Sequence, residues 1–136
     1  MKQAGNITNS QAKRQLGEDL MKDIMTKEGY DMLPSKVGSN NGFDGLFVKY
    51  GKDGKINDVV IGEAKFGRSR LGNTSMGKQM GTRWVNGNIQ KMIDSKDLAT
   101  AQAGKAVSEF IGNGNSYSRE IFKLKKTGYF SRKILK

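Results

Sequence analysis

The apolar residues of this chain recur first at helical spacing, then at strand spacing, then at helical spacing again. The last twenty residues return to strand-like alternation. In residues 11–28, Ala12, Leu16, Leu20 and Ile24 fall four apart, and Met21 and Met25 widen the arc. Such spacing lines one face of an α-helix. Ser10 stands where an N-cap is expected and Gly29 where the helix would stop. Residues 30–33 read as a short strand ended by Pro34, and residues 35–42 (SKVGSNNG) as a loop. Residues 43–50 and 56–66 are dense in aromatic and β-branched side chains, and Asp53-Gly54 lies in the GKDGK between them. This pattern predicts a β-hairpin. Residues 67–81 carry four glycines and read as a loop. Helices are expected over 82–95 and 97–111, and short strands over 119–124 and 128–135. Nothing marks an internal boundary, so residues 1–136 read as one domain, with 1–9 a loose leader.

The hairpin has a chemical consequence. With a two-residue turn at Asp53-Gly54, Val48 faces Val59, Leu46 faces Ile61, and Asp44 faces Glu63. Alternation puts Glu63 and Lys65 on one face, about 7 Å apart along the strand. Asp44 then lies across from Glu63, with Cβ atoms about 5 Å apart. Leu46, Val48, Val59 and Ile61 continue that face as core. A bulge in either strand would shift the whole set. Like charges placed opposite each other destabilise a sheet, and a divalent cation between them converts that repulsion into affinity. The plainer alternative is that Lys65 neutralises two solvated acids at a strand end.

Charge and composition narrow the chemistry. The chain has no Cys and no His among 136 residues. Disulfide frameworks, Cys- or His-built metal centres and His-dependent triads are therefore excluded. The formal charge is +11. Residues 65–91 hold six bases and no acid, and residues 117–136 hold seven bases and one acid, so these two segments carry the whole excess. A surface charged this way opposes compaction and suits a polyanionic partner, nucleic acid foremost. No stretch is apolar enough to span a membrane.

Phe43-Asp44-Gly45-Leu46 followed by a hairpin and Ile61-Gly62-Glu63-Ala64-Lys65 resembles the PD-(D/E)xK nuclease superfamily. Phe43 stands where the Pro of the superfamily motif would be. Leu16-Gly17-Glu18 and Gly29-Tyr30-Asp31-Met32-Leu33 resemble its first helix and first strand. Gln79-Met80 with Trp84 resembles the Gln-plus-aromatic motif of some branches. The stretch 42–80 is also similar to toxin domains at the C-termini of bacterial polymorphic and contact-dependent inhibition proteins. The resemblance implies an α/β (α+β) restriction-endonuclease-like core, in which a mixed central sheet flanked by helices carries the D…ExK hairpin. It implies a metal-dependent endonuclease in which Asp44, Glu63 and Glu18 hold Mg²⁺, with Mn²⁺ or Zn²⁺ as alternatives. Lys65 would orient water or contact the scissile phosphate, and Gln79 would position the site. Arg68, Arg70, Lys78, Arg83 and Trp84 would bind nucleic acid; core packing is the other role open to Trp84. The expected substrate is RNA, tRNA first, or DNA. The expected partner is an acidic immunity protein, and the expected location the cytoplasm of a target bacterium, reached as part of a larger secreted or surface protein. A non-catalytic nucleic-acid-binding module is the alternative.

Overall fold

The computed structural model describes residues 10–37, 42–66, 72–74, 77–125 and 130–135. The leader, together with Arg68 and Arg70, lies outside the described residues. In chain order the elements are α1 (Ser10–Lys27), β1 (Asp31–Leu33), β2 (Gly45–Tyr50), β3 (Ile56–Phe66), β4 (Asn73–Thr74), β5 (Gly77–Lys78), α2 (Thr82–Ile93), α3 (Leu98–Gly112), β6 (Ser118–Leu124) and β7 (Phe130–Leu135). The described residues make an α+β fold with three helices and an open, five-stranded mixed sheet ordered β1-β2-β3-β6-β7. Only the β3–β6 ladder is parallel. A parallel pair needs a crossover, and here it is the stretch containing α2 and α3. The segment expected to be a loop before α2 contains a small ribbon in which Asn73 pairs with Lys78.

The hairpin keeps the expected register by an unexpected route. Gly45 pairs with Gly62, Leu46 with Ile61, Val48 with Val59 and Lys49 with Asp58, but Tyr50 pairs with Ile56. The tip is closed by Gly51 N–H donating to the Lys55 carbonyl at 2.8 Å, so the turn holds three residues rather than two. Gly54 supplies the positive φ of +80° that this tip uses. The extra turn residue is taken up by a bulge at Asn57, and beyond it the pairing is as the shorter turn would have set it.

Two cores lie on opposite faces of the sheet. Leu46, Val48, Val59 and Ile61 pack with Phe43, Met80 and residues of α2 and α3, including Val85, Met92 and Val107. Phe47, Val60, Ala64 and Phe122 pack on the other face against Met21 and Met25 of α1. The buried stripe of α1 is centred on those two methionines; Leu16, Leu20 and Ile24 are only partly buried and Ala12 is exposed. The cause is a close approach of helix to sheet. A Cβ on Gly62 would meet the Met21 sulfur at 2.6 Å, and one on Gly45 would meet the Phe47 ring at 2.4 Å. Paired with each other, Gly45 and Gly62 leave a hollow that Met21 and Phe47 fill. They adjoin Asp44 and Glu63 in sequence, so this contact brings α1 down beside the charged end of the hairpin.

Candidate active site

Asp44 stands just before β2 and Glu63 near the end of β3. One Asp44 oxygen, Oδ2, accepts the Ala64 N–H at 2.9 Å, which ties the acid to the strand opposite. Glu63 is only 4% exposed. Burial, then repulsion from Asp44, raises its carboxyl to about 8, against the pull of Lys65. Lys65 Nζ lies 3.2 Å from Glu63 Oε2. The acid pair and the lysine therefore meet at the open end of the hairpin, on the side that the facing pairs imply.

Gln79 locks the group together. Its side-chain oxygen accepts from Lys65 Nζ at 3.2 Å and from the Gly72 N–H at 2.9 Å, while its amide nitrogen donates to Glu63 Oε2 at 3.4 Å. The turn carrying Gln79 is held in several places. Gln79 N–H donates to the Gly72 carbonyl and Gly81 N–H to the Lys78 carbonyl, both at 2.9 Å. Arg119 of β6 donates to the Met80 carbonyl at 2.6 Å. Met80 sits at φ 68° with its side chain in the core, an uncommon backbone geometry for a non-glycine residue.

Glu18 reaches the same end of the sheet from α1, but it does not join the acid pair directly. Both its oxygens accept from Lys36 Nζ, at 2.9 and 3.0 Å. Lys36 Nζ also lies 3.9 Å from Asp44 Oδ1. Burial and Asp44 raise the Glu18 carboxyl, and Lys36 opposes the rise. Among the described residues, no group of three or more carboxylates is gathered closely enough to hold a metal ion. Glu18 therefore departs from its expected place as a third ligand, because an ammonium group bridges it to Asp44. Lys36 lies in the stretch expected to be a bare loop. Only its approach in three dimensions identifies it.

Of the two roles open to Trp84, the structure places it in core packing. It is 5% exposed and meets Phe43 edge-on, with ring centroids 5.4 Å apart. Its ring belongs to the core between α2 and the sheet and is not open for a base to stack on. Lys78, next to Gln79 in sequence, and Arg83, at the start of α2, are exposed.

The donor set suits a hard divalent cation. Asp44 and Glu63 offer oxygens, and the chain has no imidazole or thiolate to offer instead. Burial first, and then the neighbouring Asp44, raise the Glu63 carboxyl; a divalent cation between the two acids would favour its charged form. No family model matches the chain, and no curated protein or solved structure matches it significantly.

Proposed function

We propose that this chain is a metal-dependent endonuclease of the PD-(D/E)xK type that acts as an antibacterial toxin. The observation that carries the proposal is the meeting of Asp44, Glu63 and Lys65 at the open end of the β2–β3 hairpin, with Gln79 bridging the last two. The order of helix, strand, hairpin and parallel β6 supports the same reading.

Asp44 and Glu63 would hold the divalent ion, Mg²⁺ first, which supplies a Lewis acid for phosphodiester hydrolysis. Lys65 presents a positive N–H donor beside them, placed to orient the attacking water or to steady charge on the scissile phosphate. Gln79 fixes the Lys65 ammonium and leaves it other protons to donate. Lys36 pairs with Glu18 and lies between it and Asp44, which offsets part of their repulsion. Lys78 and Arg83 would contact the flanking backbone, a sequence-independent and salt-sensitive mode of binding.

The substrate we assign is RNA, tRNA first, with DNA the competing class. The toxin would be delivered as part of a larger secreted or surface protein and act in the cytoplasm of the target bacterium. Its producer would protect itself with an acidic immunity protein that covers the basic cleft. The test is incubation with total tRNA and with plasmid DNA, each in Mg²⁺ and in EDTA. Cleavage in Mg²⁺ that stops in EDTA, and that is lost in Asp44→Asn, is the expected result. Tight binding of intact substrate in Mg²⁺ and Mn²⁺ would leave a binding module instead.

A further inference from the structure

The two C-terminal strands widen the face that carries Glu63. In the parallel ladder Glu63 lies beside Ile121 and Lys65 beside Lys123; in the next ladder Ile121 pairs with Lys133 and Lys123 with Ser131. Residues paired across a sheet share a face. Lys65, Lys123 and Lys133 therefore stand on the side of the acid pair. Ser131 and Lys133 are exposed, and Lys123 is half-buried.

The remaining arginines of these strands are committed elsewhere. Arg132 points to the opposite face, where it binds Glu28 and Glu120. Arg119 holds the Met80 carbonyl. By contrast, Lys123 and Lys133 enter no ion pair with any described residue. Lys123 is set directly beside Lys65, and Glu63, an acid on the same face, is already paired with Lys65. Adjacent like charges on a sheet are destabilising. An anion laid across them turns that repulsion into binding.

We infer that Lys123 and Lys133 form a phosphate-binding track, which leads the sugar-phosphate backbone of a nucleic acid from the acid pair across β6 and β7. The track crosses two strand spacings, about 10 Å, wide enough for Lys123 and Lys133 each to meet a separate phosphate. The inference rests on the nuclease reading for its ligand and extends it to strands that the motif residues do not reach.

Binding of the full chain is measured in EDTA against total tRNA and against a short DNA duplex over a range of salt. The double variant Lys123→Gln/Lys133→Gln is compared with Lys52→Gln/Lys55→Gln. The second pair removes the same charge at the hairpin tip, about 25 Å along the strands from Glu63. Each lost phosphate contact lowers the slope of log K against log salt by about 0.9 on a duplex and about 0.7 on a single strand. The track predicts a fall of about 1.4–1.8 for the first pair and close to none for the second. Equal falls for the two pairs, or no fall for the first, overturn it. The exposed Lys133→Gln, made alone, must show about half the effect and stands as the test if the double variant does not fold. A wild-type chain that binds with the predicted slopes but cleaves nothing in Mg²⁺ removes the catalytic reading and keeps the track. A chain that cleaves, with slopes indifferent to Lys123 and Lys133, removes the track and keeps the nuclease. Absence of binding by the wild-type chain removes the track outright. The larger response, on tRNA or on duplex, identifies the nucleic acid that the track fits.

Discussion

Glu63 and Glu120 lie on neighbouring central strands, one residue apart in the β3–β6 ladder, and each is only 4% exposed. They point to opposite faces and meet opposite surroundings. Glu120 accepts from Arg132, which also spans to Glu28, packs its guanidinium over Phe122 and reaches the Met25 sulfur. The double hydrogen bonding holds Arg132 above its ordinary pKa, Glu28 contributing most, and holds Glu28 below its own. Glu63 instead faces a second carboxylate and a single lysine, and burial, then that carboxylate, raises its carboxyl to about 8. A buried acid with a matched partner serves the fold. A buried acid set against another acid holds a repulsion that either a retained proton or a further cation relieves.

If the two faces divide structure from chemistry in this way, substitutions on each should separate the two readouts. The largest effect is expected for Asp44→Asn and Glu63→Gln. Each should lower Mg²⁺-dependent cleavage by about 10³-fold or more and leave the circular dichroism spectrum unchanged. Undiminished cleavage in either variant would remove the proposed site. On the α1 face, Arg132→Met should cost about 3–5 kcal/mol in urea unfolding, because it strands Glu120 without a partner. Cleavage measured well below the melting temperature should not change.

Much of this division is legible in the sequence. Alternation along residues 43–50 and 56–66, with Asp53-Gly54 between them, is enough to place Leu46, Val48, Val59 and Ile61 on one face with Asp44 and Glu63. That inference survives because the Asn57 bulge offsets the longer turn, a cancellation no local pattern announces. The long-range part is not legible. Nothing near Lys36 indicates that it will bridge Glu18 and Asp44, since the contact depends on how far α1 sinks onto Gly45 and Gly62. The parallel pairing of β6 with β3 is equally hidden, because it is decided by the route of the chain through α2 and α3. Without it, the seven bases of residues 117–136 read as one undivided charge run. With it, they sort by face: Arg132 into an ion-pair clamp, Lys123 and Lys133 onto the side of the acid pair.

The pH dependence of stability sharpens the contrast further. The Glu63 carboxyl is raised from an ordinary 4.5 to about 8, so the folded state binds more protons than the unfolded state between those values. Stability from this group is full below about 4.5 and is lost as pH rises through about 8. The loss should amount to a few kcal/mol at most. Urea unfolding in EDTA should show the decline in wild type and a flatter profile in Glu63→Gln. Adding Mg²⁺ should flatten the wild-type profile too, since the ion favours the charged carboxylate. A wild-type profile flat over that range in EDTA would mean that Glu63 keeps an ordinary carboxyl and is already balanced by its neighbours.

The smallest expected effect tests whether the faces are independent at all. Tyr30 donates its hydroxyl to Asp58 on the α1 side of β3, while Lys49 stacks over the ring with its Nζ 4.5 Å from the centroid. Burial, and then the bond to Asp58, push the phenol up to about 12. Tyr30→Phe keeps the ring and the cation–π contact and deletes one charge-assisted hydrogen bond, a loss of about 1 kcal/mol at this partly exposed position. Because Asp58 pairs with Lys49 five residues along β3 from Glu63, the disturbance should stay at that end of the hairpin. Cleavage and the salt dependence of nucleic-acid binding should match wild type. A fall in cleavage larger than the stability change accounts for would show that strain passes through β3 from one face to the other. The two glutamates would then have to be treated as one coupled system.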